Sequence, residues 1–209
     1  MKNHVRVIYD PSVAKDHTAA ILRGVKSLER FGVLVDEGLA TERTAVKPVR
    51  LGRYIRRIIE ERNGAPIDFK CWGIRLADVF AASPKDILGF GVLEDPLLLE
   101  KDGKIEESVG AGRFGDIALL SLFRFMEIRN PQLRLKALET AAKHEAAHLF
   151  KAGHCTEPTC VMQPKPVVSK SVLVESILLR PDFCRDCERE INAKVSLREY
   201  ELNHISGAG

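Results

Sequence analysis

Hydrophobic and polar positions alternate from the start of the chain. Val5, Val7 and Tyr9 alternate with Arg6 and Ile8, the period-two pattern of a strand. The period then lengthens. Over 12–31, Ile21, Val25 and Leu28 fall on one side, which predicts a helix stopped by Gly32. A second strand is predicted at 33–36. A second helix is predicted at about 50–62, with Leu51, Ile55, Ile58 and Ile59 inward and Asn63-Gly64 as its end. Strand-like runs follow at 73–80, 87–93 and 117–124. The order β-α-β-α-β-β-β predicts an α/β (α+β) fold with a mixed sheet.

Asn130-Pro131 is a helix start, with Asn as N-cap and Pro in the first turn. The helix it opens runs to about 150 and carries two adjacent stripes. Leu135, Leu138, Ala142, Ala146 and Leu149 make a core stripe. Ala137, Ala141, His144 and His148 make the other, which suits the floor of a cleft. Beyond 154 the periodicity weakens. Cysteines, prolines and short apolar runs alternate, with one further helix predicted at about 182–193. The division expected is an N-terminal subdomain, 1–154, and a small C-terminal subdomain, 155–209, built around metal.

Composition adds bounds. The chain has 209 residues, 45% of them apolar and 29% charged, enough for a core and unlike a disordered chain. A net charge of +3 is too small to argue for nucleic acid. No apolar run reaches the length of a membrane span, and the first residues lack a leader-like apolar stretch. The expectation is a cytoplasmic protein, monomeric, with no nucleic-acid or membrane partner. In a reducing compartment its five cysteines read as metal ligands sooner than as disulfides.

The candidate chemistry lies in His144-Glu145-Ala146-Ala147-His148 and, six residues on, His154. Two histidines four apart on a helix present both imidazoles to one side. A third nitrogen from His154 completes three protein ligands. That leaves one tetrahedral zinc position open, as catalytic zinc requires. Glu145, about 100° round the helix from His144, is placed to take a proton from activated water and pass it to a leaving amine. A bare HExxH recurs by chance. A third histidine at this offset makes chance a poor explanation.

Cysteines supply a second constellation. Cys155 and Cys160 form C-x4-C, and Cys184 and Cys187 form C-x2-C. Two close pairs across a longer loop are the pattern of a structural zinc site, whose four thiolates leave no open position. Such a site adds folding free energy to a lobe with little core. A redox pair at Cys184–Cys187 is less in keeping, since it does not open a βαβ unit. Cys71, beside Trp72, reads as a buried free thiol.

Together His144–His148, His154-Cys155, Cys160, Met162 and Cys184-x-x-Cys187 resemble the archaemetzincin signature. The joining of the third histidine to a cysteine is its specific part. The resemblance implies a compact metzincin-like fold with an active-site helix and a zinc-bound C-terminal lobe. It implies zinc at two sites, one of catalytic type on His144, His148 and His154, and one structural on Cys155, Cys160, Cys184 and Cys187. Glu145 takes the part of general base and Met162 that of the Met-turn methionine. It further implies hydrolysis of peptides or proteins, at their N-terminal ends, with substrate laid antiparallel along an edge strand. The strand at 117–124 is the candidate edge.

Three features depart from the pattern. Lys151 stands where metzincins place the glycine that turns the chain out of the helix, so either Lys151 adopts a left-handed conformation, Gly153 takes the turn, or His154 approaches differently. A lysine there is expected to be solvated. The gap from Met162 to Cys184 is long, and no tyrosine follows Met162 closely. These departures keep a second function in view, a latent or non-catalytic peptide-binding protein. Gly110-Ala111-Gly112-Arg113-Phe114-Gly115 spells GxGxxG but lacks the strand before and helix after that a dinucleotide site needs. It reads as a flexible loop. The arginines at 50, 53, 56, 57 and 62 are diluted by Glu60 and Glu61 and read as a solvated face. His4, His17 and His204 gain no partners from the sequence.

Overall fold

The computed structural model describes residues 2–9, 13–38, 87–94, 97–101, 104–113, 115, 117–164, 180 and 182–205. The helix expected at 50–62, the strand at 73–80 and Cys71 lie outside them. In chain order the elements are β1 (His4–Tyr9), α1 (Lys15–Lys26), β2 (Leu34–Gly38), β3 (Ile87–Leu93), β4 (Leu97–Lys101) and β5 (Lys104–Ser108). They continue with β6 (Gly110–Arg113), β7 (Ile117–Ser121), α2 (Pro131–His148) and α3 (Arg185–Ile205). The main sheet runs β2-β1-β3-β7-β6, while β4 and β5 pair as a separate antiparallel ribbon. β2, β1, β3 and β7 are parallel, and β6 runs antiparallel to β7. This is a mixed α/β fold.

Two expectations change here. Residues 110–113 are not a flexible loop but a strand, and among the described residues that strand forms the edge of the sheet. The strand predicted at 117–124 is β7, which lies between β3 and β6 and offers no free edge. Its five residues are all buried, and Ile117–Leu120 make the continuous apolar run of a strand covered on both faces.

The helices differ from prediction mainly at their ends. α1 closes at Lys26 and tightens into a 3-10 turn over Ser27–Phe31, which Gly32 ends at φ 83°. That left-handed stop suits glycine. α2 starts as read, with the Asn130 side chain accepting the Leu133 N–H at 3.1 Å and Pro131 in the first turn. α3 continues to Ile205, a dozen residues past the predicted end.

One core cluster joins these elements. Val5, Val7, Leu88, Phe90, Ala118 and Leu120 from the sheet meet Ile21 and Val25 of α1 and Leu138, Ala142 and Ala146 of α2. Each large apolar side chain so buried contributes about 1.5–3 kcal/mol. α1 and α2 approach closely because Gly24 carries no side chain. A methyl group there would lie 2.8 Å from the Ala142 Cβ. Cys187, Ile191 and Val195, with Phe183 just before the helix, bring α3 into the same cluster. The buried Asn3 Nδ2 donates to the Val195 carbonyl at 2.8 Å.

The histidines without sequence partners acquire structural ones. His4 Nε2 lies 2.8 Å from Asp36 Oδ2. His204 stacks on Tyr200. His17 is buried on the inner face of α1. Among the described residues no helix is long and apolar enough to cross a membrane.

Candidate metal centres

The second stripe of α2 ends in His144 and His148, both buried. Their rings sit edge to face, centroids 4.8 Å apart. His144 Nδ1 is 2.7 Å from the Val161 carbonyl, and His148 Nδ1 is 2.7 Å from the Ala152 carbonyl. A carbonyl only accepts, so each Nδ1 carries the proton and donates. Each Nε2 is therefore left with a lone pair.

Those two Nε2 atoms face one another at 3.2 Å. Two lone pairs so close repel unless a cation lies between them. Ligand nitrogens bonded at about 2.0–2.1 Å to one tetrahedral zinc would be about 3.3 Å apart. His154 completes the group, its ring centroid 5.4 Å from that of His144 and 5.0 Å from that of His148. The three ligand atoms lie within 4.8 Å of one another. Partial desolvation lowers the His154 pKa, which favours the neutral imidazole a metal needs. The donor set fits zinc.

What brings His154 round is Lys151. Its φ is 60°, the one positive value among described non-glycine residues. Of the alternatives left open by the sequence, Lys151 itself makes the left-handed turn and Gly153 does not. Lys151 is exposed and its side chain runs along Gly115, where a methyl group would fall 2.7 Å from Lys151 Cε. The Lys194 ammonium of α3 pairs with Glu190 and donates to the Lys151 carbonyl, bracing the turn.

Glu145 is buried beside the histidines, with Oε1 3.9 Å from His144 Nε2. Its carboxylate lies directly against β6. A methyl group on Gly110 would overlap that carboxylate, with even the farther oxygen only 2.5 Å away. Gly110 was missed from the sequence, where it counted only as part of a GxGxxG string. The available signal was a glycine inside a short strand, which often marks close approach of another group.

The four cysteines converge equally closely. Cys155 Sγ is 3.7 Å from Cys184 Sγ, and Cys160 Sγ is 3.6 Å from Cys187 Sγ. A disulfide would bring such atoms to about 2.05 Å. Thiolates on one tetrahedral zinc, bonded at about 2.3 Å, would be about 3.8 Å apart. Backbone N–H groups of Glu157, Met162 and Cys184 point at these sulfurs, at 3.3–3.4 Å. Burial raises the thiol pKa of Cys160 and Cys187, while the Cys187 backbone N–H lowers that of Cys184. Holding two buried thiolates takes a cation, and four sulfurs so arranged suit zinc.

The segment 160–162 serves both groups. Cys160 joins the sulfurs, the Val161 carbonyl holds His144, and the wholly buried Met162 accepts the Cys155 N–H at 3.0 Å.

Residues 105–193 match the model of peptidase family M54. Over that stretch the chain is similar to the archaemetzincins. It is 34% identical over 73 residues to an archaemetzincin of Methanopyrus kandleri, a match spanning 35% of this chain and 38% of that protein. The crystal structure of the Methanopyrus kandleri archaemetzincin superposes with a TM-score of 0.62 at 18% identity, covering 93% of this chain and 96% of that one. A zinc-dependent peptidase from Methanocorpusculum labreanum superposes at 0.54 with 19% identity, covering 90% and 99%. These two likenesses bear on the fold, and it is the archaemetzincin fold.

Proposed function

We propose that this archaemetzincin relative is a zinc-dependent metallopeptidase, with zinc on His144, His148 and His154 and a structural zinc on the four cysteines. The observation that carries the proposal is the facing pair of Nε2 lone pairs with the Glu145 carboxylate beside them. Zinc held there supplies the Lewis acidity that amide hydrolysis at neutral pH otherwise lacks.

The chain's own residues do the rest. The Val161 and Ala152 carbonyls fix the tautomer and ring plane of His144 and His148, which raises the basicity of their Nε2 atoms. Glu145 takes a proton from the attacking water and returns it to the departing amine. Peptide lies along β6, the edge that adjoins Glu145. Preference for the N-terminal end of peptides is the finer form of this proposal. Four free cysteines suit a reducing compartment such as the cytoplasm.

The second reading, a latent protein that binds peptide without cleaving it, rests on Lys151 at φ 60° and on Gln163-Pro164, where a tyrosine would be sought after Met162. One variant separates the two. Glu145→Gln is expected to abolish peptide turnover, by about a hundredfold or more, with zinc content unchanged. Wild-type protein that holds zinc and binds peptide but never cleaves it would favour the second reading.

A further inference from the structure

Gly110 occupies an unusual place in the edge strand. The Ser121 N–H donates to the Val109 carbonyl at 2.8 Å, so 109 and 121 form a hydrogen-bonded pair. Bonded and non-bonded pairs alternate along an antiparallel ladder. Gly110, opposite Leu120, is then a non-bonded pair, and its own N–H and C=O face away from β7. Among the described residues β6 has no strand on that side. The Ser108 hydroxyl takes up both groups, donating to the Gly110 carbonyl and accepting its N–H at 3.4 Å.

The missing side chain of the same residue would point out of the sheet plane, toward α2. All three of the nearest atoms to a Cβ built there belong to the Glu145 carboxylate. They form the charged end of a buried residue inside a helix, beneath a sheet. A methyl group could be accommodated only by moving that carboxylate, since strand β6 is held to β7 by its ladder.

We propose that Gly110 is a positioning residue for Glu145. Its bare Cα lets the carboxylate lie in contact with the edge strand, level with backbone groups that face outward. Any larger residue would drive Glu145 off that line. The inference rests on the peptidase reading for its consequence in turnover, but the contact can be tested without it.

Two measurements decide it, on full-length zinc-loaded protein. In the first, the unfolding midpoint is compared across Gly110→Ala, Glu145→Ala and the double variant. Overpacking in Gly110→Ala is expected to lower the midpoint by about 3–6 °C. In the Glu145→Ala background the same substitution is expected to cost almost nothing, because the methyl group fills the vacated space. Additive losses would overturn the inference.

The second is turnover of an unstructured peptide by Gly110→Ala. A misplaced carboxylate is expected to lower kcat by roughly a hundredfold, with KM and zinc content kept. A wild-type kcat in Gly110→Ala, or a loss confined to KM, would overturn it. Inactive wild-type protein would count against the peptidase reading, while the stability comparison still decides the contact.

Discussion

Lys151 carries the chain from α2 to His154 in a conformation that costs a side-chain-bearing residue about 1–2 kcal/mol. Glycine would remove that cost, at the expense of a more flexible unfolded chain. Lys151→Gly is therefore expected to raise stability by about 0.5–1 kcal/mol, or about 2–3 °C in midpoint. Zinc content should not change, because the exposed lysine side chain runs along Gly115 and the ligands keep their carbonyl partners. Thermal melting with metal analysis checks both. A lowered midpoint would mean that the side chain's contact with Gly115 outweighs the backbone strain.

The grouping was legible at this scale, because the spacings of His144, His148 and His154 and of the two cysteine pairs pointed to two clusters, and the structure brings each together. The rest was not legible. A carbonyl that fixes a tautomer, at Val161 or Ala152, leaves no mark on residue type. A glycine such as Gly110 looks the same whether it serves a turn or a neighbour.

At the scale of elements, α3 starts at two of the four converging cysteines, so on the proposed zinc reading its first turn depends on metal. Cys184 and Cys187 sit at its start, and Ile191 and Val195 hold its middle to the core. Beyond Val195 its exposed Leu197 and Tyr200 contribute little burial. A chelator strong enough to strip the cysteine group should loosen α3 first. Amide hydrogen exchange over 185–205 is expected to quicken by about tenfold or more, with β1, β3 and the first turns of α2 still protected. Uniform acceleration across the chain would contradict this order.

Strands β1, β2, β3 and β7 and both flanking helices followed from period and caps. The edge did not. Gly110–Arg113 has no apolar alternation, and its strand character comes wholly from pairing with β7. The length of α3 escaped for a related reason, since its exposed half carries no apolar stripe to count.

For the whole molecule the decisive fact is that the two candidate metal groups share backbone. His154 and Cys155 are consecutive, and Cys160–Met162 touches both groups. Losing the sulfur site should therefore disturb the nitrogen site more than the reverse. Cys187→Ser is expected to leave well under one zinc per chain, taking zinc from the histidines as well. His148→Ala is expected to retain about one zinc, on the cysteines. Metal analysis after dialysis distinguishes these. Equal losses from both variants would mean mutual dependence, and independent losses would mean the shared backbone transmits nothing.

The hydrogen bond from Asn3 to Val195 spans 192 residues of sequence. A ribosome adding about 5–20 residues per second needs about 10–40 s to make the second partner after the first. Through that interval Asn3, just before β1, has emerged but its bond to α3 cannot form. Nor can β1 pair with β3 until residue 87 arrives. The nascent protein thus has both neighbours of β1 before half its length is made, but lacks the α3 contact until near its end. Its dependence on chaperones should be greatest before its last helix has left the exit tunnel.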